Sequence, residues 1–176
     1  MNRINRIGQR FERGRNTYFM ESFYATVATF CFTLIGLWWG VAQTRLGNWI
    51  DKPNLRRLSQ SVIMAFLIPG IMSLGSQLAG EIKLLWRMVF ASAGVLGILA
   101  AAQFFFLGHT ARMKLYLLGT IVLYLLVTVF AIMPTLLQGI PFVGQLQPLQ
   151  IEGLLLCVLI LCGVGMAWEL MWDTHA

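Results

Sequence analysis

Charged residues are scarce in this sequence, and long stretches contain none at all. Only 11% of the 176 residues are charged, whereas 58% are hydrophobic, and the mean hydropathy is +0.73. Soluble domains carry about 25% charged residues. A chain of this length cannot bury so much apolar surface in a soluble core, so lipid must be its solvent. No hydrophilic run is long enough to form a second, soluble domain.

Residues that ligate metals or carry out catalysis are also few. The two histidines, His109 and His175, lie in a loop and beside the C-terminus. The three cysteines, Cys31, Cys157 and Cys162, lie in apolar segments without metal or thioredoxin spacing. Enzymes and haem proteins need converging titratable or ligating groups. The sequence therefore predicts no enzymatic activity, no metal and no cofactor.

No charged residue occupies the middle of an apolar segment. Glutamates at positions 21, 81, 152 and 169, together with Lys83 and Arg87, fall at segment ends. We expect these side chains to lie at the water boundary, whereas coupled transporters usually place an acid or base near the membrane centre. A small transporter stays a third hypothesis, because Pro69 and Gly70 predict a helix kink followed by a serine- and glutamine-rich cluster that could bind a substrate.

Five apolar segments are long enough to cross a bilayer as helices. They cover about residues 20–43, 61–80, 84–107, 115–133 and 151–172. The predicted fold is therefore all-α: a polytopic helical membrane bundle, with residues 20–172 as one transmembrane domain and 173–176 as a C-terminal tail. In the third segment, Ala93, Gly97 and Ala101 recur every four residues, which is typical of a packing ridge between membrane helices.

Residues 1–19 hold five arginines and a single acid, and give the chain much of its net charge of +6. Arg3, Arg6, Arg10 and Arg13 follow helical spacing. They predict a short basic amphipathic helix in the headgroup layer, ended by a bend at residues 14–17. The expected partner is a bilayer with anionic headgroups rather than nucleic acid. The expected location is the bacterial cytoplasmic membrane, with a mitochondrial or other organellar membrane as the alternative.

The distribution of positive charge leaves the orientation open. If all five segments cross, seven lysines and arginines lie on one side and six on the other, a negligible bias. If the first segment is re-entrant or lies on the surface, the counts become eleven and two. Insertion in both orientations is a third possibility. Segment length favours five crossings, with the N-terminus inside.

The first apolar segment, residues 20–43, carries an unbroken stripe of polar and small residues on one helical face. The stripe consists of Ser22, Thr26, Thr29, Thr33, Gly36, Gly40 and Gln43. Its spacing of four and three residues is a heptad pattern, which indicates left-handed association of helices. Trp38 and Trp39 are expected to face outward, away from the space that the glycines leave.

Two functions fit this stripe. In the first, several copies of the chain form a homo-oligomeric ion channel or pore lined by the stripe, since rings of hydroxyl groups can replace part of an ion's hydration. The basic N-terminal helix would then form a charge collar at the entrance, with Glu21 just beyond it. In the second, the protein is a non-catalytic scaffold or accessory subunit whose stripe packs against the helices of an unknown protein partner.

Overall fold

Five long helices make up the described part of the chain, which is seen in a computed structural model. The structure describes residues 3–49, 53–80, 82–107, 110–133 and 148–172, and no strand occurs among them. The helices are α1 (Arg3–Trp49), α2 (Pro53–Ala79), α3 (Lys83–Phe105), α4 (Ala111–Ile132) and α5 (Pro148–Trp172).

Each helix contains a stretch long and apolar enough to cross a membrane. Large apolar side chains are exposed around the bundle, with Leu78 83% exposed, Leu96 61% and Leu161 68%. Soluble monomers rarely expose so much contiguous apolar surface, whereas lipid tails solvate it well. The prediction of an all-helical membrane protein with five membrane-length segments is thus confirmed.

The first helix is longer than the sequence predicts. It runs without interruption from Arg3 to Trp49, through the bend expected at residues 14–17. A separate basic amphipathic helix at residues 1–19 is therefore not supported, and the side chains of residues 3–17 lie outside the described set. A single glycine, Gly14, costs a helix only about 1 kcal/mol, which is too little to end one of this length.

Consecutive helices are antiparallel neighbours. Trp38, late in α1, bonds to Ser59, early in α2. Arg87 at the start of α3 reaches Ala131 at the end of α4. The helix order therefore places the starts of α1, α3 and α5 at one end of the bundle, called here the first end. Helix α1 packs along α2 as one continuous helix.

Helix α2 is central, and α1 is peripheral. α2 packs against α1, α3 and α5, whereas α1 packs mainly on α2 and touches α5 near the first end. More than half of the apolar window of α2 is buried, compared with 22% for α1. Most of the surface of α1 therefore faces outward from the bundle.

Glycines allow the helices to approach closely. On α3, Ala93, Gly97 and Ala101 are buried, as the packing ridge predicts. The ring of Tyr124 on α4 lies over Gly97, so close that a Cβ added there would stand 2.6 Å from ring carbons. Gly163 on α5 accommodates the ring of Phe66 in the same way. Packing against small residues is the usual basis of association between membrane helices.

Candidate functional site on the outer face of α1

One face of α1 is packed into the bundle, and its residues also follow heptad spacing. This inner seam consists of Met20, Tyr24, Val27, Cys31 and Trp38, each at most 8% exposed, with Ala28 beside it. The seam contacts α2 and α5. Tyr24 donates a hydrogen bond to the carbonyl of Leu149 at 2.7 Å. The heptad-spaced residues of the inner seam therefore pack within one chain. They lie on a different face of α1 from the stripe.

The stripe lies on the opposite face. All seven of its residues are exposed: Ser22, Thr26, Thr29, Thr33, Gly36, Gly40 and Gln43. Five of them follow a seam residue by two positions, which is about 200° around an α-helix. The structure thus brings the stripe residues together in one line that points away from the bundle. Packing within a single copy of the chain does not explain them.

Two ridges of large apolar side chains border the stripe. Phe30 and Leu37, 52% and 63% exposed, lie on one side; Phe32 and Trp39, 41% and 57% exposed, lie on the other. Between the ridges, the small side chains of the stripe project less far than the ridge side chains. A Cβ placed on Gly36 or Gly40 would meet nothing within 4 Å. We call the stripe and both ridges the outer face of α1.

The threonine hydroxyls of the stripe bond within their own helix. Thr26 donates to the carbonyl of Ser22 at 2.9 Å, Thr29 to that of Ala25 at 2.9 Å, and Thr33 to that of Thr29 at 2.8 Å. Each hydroxyl proton is therefore directed at the backbone, while the oxygen lone pairs stay free to accept from outside. The three threonines therefore offer hydrogen-bond acceptors rather than donors.

The two tryptophans lie on different faces of α1. Trp39 is exposed beside the stripe, whereas Trp38 points away from the stripe glycines, is 4% exposed, and donates from Nε1 to the carbonyl of Ser59 at 3.2 Å. Trp38 lies seven residues after Cys31, so it continues the inner seam. A buried indole generally needs an acceptor for its N–H, and here the backbone of α2 supplies one.

Of the residues in the predicted charge collar, only Glu21 has a described side chain. Glu21 is exposed, on the flank of the outer face next to the ridge of Phe32 and Trp39. The side chains of Arg3, Arg6, Arg10 and Arg13 lie outside the described set. The collar, and the anionic lipid expected to bind it, stay predictions.

Pro69 and Gly70 lie in an unbroken helix. Both residues are buried, and α2 continues through them to Ala79. Gly70 lies against α1, since a Cβ there would be 3.2 Å from the Cβ of Cys31. In the cluster that follows, the Ser73 hydroxyl donates to the carbonyl of Pro69 at 2.8 Å, and the Gln77 amide donates to that of Ser73 at 3.3 Å. The polar groups of Ser73 and Gln77 therefore bond within α2 itself.

Two charged side chains near segment ends bond to other residues of the chain. Arg87 donates to the carbonyls of Ala131 and Ile132 at 3.0 and 3.3 Å. These carbonyls lie in the last turn of α4, where no backbone N–H of the same helix is available to bond them. Glu169 forms an ion pair with Arg112 at 3.5 Å. The side chains of Glu81 and Lys83 lie outside the described residues.

Glu152 departs from the prediction. It was expected at the water boundary, yet it is fully buried, with neither carboxyl oxygen hydrogen-bonded in the described structure. The physical reason is that α5 begins at Pro148, three residues before the predicted segment start, and that Glu152 lies on the packed face of this helix together with Leu156 and Leu159. Pro148 was the available signal, because proline is favoured in the first turn of a helix.

Among the described residues, no group of three or more histidine, cysteine or acidic side chains could hold a metal ion. His109 and His175 lie outside the described residues. The three cysteines are unpaired thiols, and Cys31 is buried in the inner seam.

Comparison with protein-family models, with curated proteins and with solved structures finds no match for this chain.

Proposed function

We propose that this protein is a homo-oligomeric membrane channel whose pore is lined by the stripe of α1. The observation that carries the proposal is the position of the stripe: seven polar or small residues, all exposed, on the face opposite the packed seam. In a single copy this face meets lipid, where a line of polar groups gains nothing. In a ring of copies it meets water and ions. The proposed activity is conduction rather than catalysis.

The two ridges suit a ring. Phe30 and Leu37 of one copy would pack against Phe32 and Trp39 of the next, because the ridges flank the stripe on opposite sides. Contact between two different surfaces is heterologous, and repetition around an axis closes a ring. The stripe would then face the axis, and α2 to α5 would surround it and contact lipid.

The hydroxyl geometry favours cations over anions. Thr26, Thr29 and Thr33 direct their protons at backbone carbonyls. The pore would therefore present oxygen lone pairs, which replace water around a cation better than around an anion. If the arginines of residues 3–13 form the predicted collar at the entrance, they would oppose this preference there.

A second candidate is a non-catalytic scaffold whose outer face docks a helix of another protein. The open space above Gly36 and Gly40 favours it, since glycines let two helices approach closely. In this case the stripe itself is the contact, whereas in a channel the ridges are the contact and the stripe stays wet.

Leucine at Thr29 or Thr33 separates the two candidates. In a channel, the larger apolar side chain should block ion flux through reconstituted liposomes and leave the oligomer intact. In a helix contact, it should prevent assembly. Ser92→Leu is the matched control, because Ser92 is an exposed hydroxyl on α3 that also bonds within its own helix. A wild-type protein that is monomeric in nanodiscs would refute the channel.

A further inference from the structure

Glu152 is a carboxylic acid sealed inside the first end of the bundle. Its exposure is 0%, and neither Oε1 nor Oε2 has a hydrogen-bond partner among the described residues. Buried polar groups in proteins are nearly always paired, so an unpaired carboxyl within a membrane-length helix requires an explanation. An intramembrane ionisable residue is by default a candidate functional site.

The contact between α1 and α5 encloses this side chain. The Tyr24 hydroxyl donates to the carbonyl of Leu149, one turn before Glu152 on α5. The ring of Phe23 lies against Gly153, where an added Cβ would be 2.8 Å from Cε1. Because Tyr24 directs its only proton at Leu149, it has none left for the carboxyl. The Tyr24 hydroxyl can therefore act toward Glu152 only as an acceptor.

No described positive charge balances the carboxyl. The titratable side chains that interact across this part of the bundle are Tyr24 and Cys31 on α1, Tyr124 on α4 and Cys157 on α5, and the charged side chain at the start of α3 is Arg87. Arg87 forms no ion pair with Glu152 and is bound to two carbonyls of α4. The described C-terminal half of α2 contributes only neutral polar groups, such as Ser73 and Gln77. An ionised carboxylate in this place would be both desolvated and unpaired, the most costly state for such a group.

A sodium ion would be poorly coordinated at the same site. Oxygen-coordinated metal cations take about six ligands. In the contact between α1 and α5, the Tyr24 hydroxyl and the Leu149 carbonyl are already hydrogen-bonded to each other. A proton needs only the carboxyl itself.

We propose that Glu152 is a proton-binding site, protonated while α1 and α5 are packed together and able to release its proton only when that contact opens. Loss of the proton would leave a carboxylate that competes with the Leu149 carbonyl for the Tyr24 hydroxyl. That competition would loosen the contact at the first end. The inference does not depend on the pore, since Glu152 lies on the side of α1 opposite the stripe.

Carbodiimide labelling tests the site in the full-length protein in liposomes. Apolar dicyclohexylcarbodiimide should modify Glu152 at neutral pH, because the reagent enters the membrane and needs a protonated carboxyl. The yield, read by peptide mass spectrometry, should fall at least tenfold as the pH is raised to alkaline values. A water-soluble carbodiimide should leave Glu152 unmodified at neutral pH.

Two variants control the assignment. Glu152→Gln should abolish the modification, whereas Glu169→Gln, at the other end of α5, should leave Glu152 as reactive as in the wild type. The proposal is overturned if wild-type Glu152 stays unmodified at every pH, or if the water-soluble reagent modifies it equally. Protection by sodium at constant pH would also overturn it, in favour of a metal cation site. These readouts on the wild-type chain do not depend on the folding of any variant.

Discussion

Alanine at Gly97 should destabilise the bundle, although alanine is the better helix former. Gly97 lies on α3 beneath the ring of Tyr124, and a Cβ there would stand 2.6 to 2.7 Å from three ring carbons. Ordinary contact begins near 3.4 Å, so the ring would have to retreat by about 1 Å. Tyr124 is 1% exposed and cannot swing into open space.

The magnitude follows from two opposing terms. Replacing glycine by alanine inside a helix gains about 1 kcal/mol of helix propensity. Forcing an extra carbon into a packed core costs about 1–3 kcal/mol. Because the obstruction at Gly97 is a buried aromatic ring, we expect the upper part of that range and a net loss of about 1–2 kcal/mol in the free energy of unfolding.

The assay is reversible unfolding in mixed micelles, with Gly119→Ala as the matched control. Gly119 lies on α4, and a Cβ there would meet nothing within 4 Å. Gly119→Ala should show only the gain in helix propensity, so that its free energy of unfolding is unchanged or raised by up to about 1 kcal/mol. If Gly97→Ala were as stable as Gly119→Ala, the close packing of α3 against α4 would be wrong.

Two further substitutions test other contacts. Arg87→Gln removes the charged donors that serve the last carbonyls of α4, so amide hydrogen exchange near Ala131 should speed up several-fold; unchanged exchange would contradict the capping role. Trp38→Phe removes the N–H that Ser59 accepts and should cost about 0.5–1.5 kcal/mol of unfolding free energy. Trp39→Phe, on the exposed side, should cost almost nothing, and equal losses at both positions would show that the two faces of α1 are wrongly assigned.

The five segments could be predicted because crossing a bilayer needs about 20 apolar residues, a signal that hydropathy carries directly. The orientation of each helix could not. Lipid tails are as apolar as a protein core, so a buried face and a lipid-facing face look alike in the sequence. Trp38 and Trp39 show the consequence: the two adjacent indoles look alike in the sequence, yet Trp38 continues the inner seam seven residues after Cys31, whereas Trp39 is exposed.

Segment ends were the other source of error. The apolar run begins at Ile151, which predicts Glu152 near water, whereas the helix begins at Pro148 and Glu152 lies on its packed face. Near the N-terminus, Gly14 predicts a bend. The helix instead continues through it to Trp49. The stripe itself could be read from spacing alone, but the sequence does not show whether it faces the bundle. That distinction required the packing of α1 against α2.

The channel proposal rests on water reaching the outer face of α1, and substituted-cysteine accessibility measures this directly. In a chain with Cys157 and Cys162 replaced by alanine, Thr29→Cys should react with a charged, membrane-impermeant thiol reagent, which should also reduce ion flux. Leu96→Cys, which is exposed midway along α3, should not react, and neither should the buried Cys31. If Thr29→Cys is as inert as Leu96→Cys, the stripe faces lipid or protein and lines no pore.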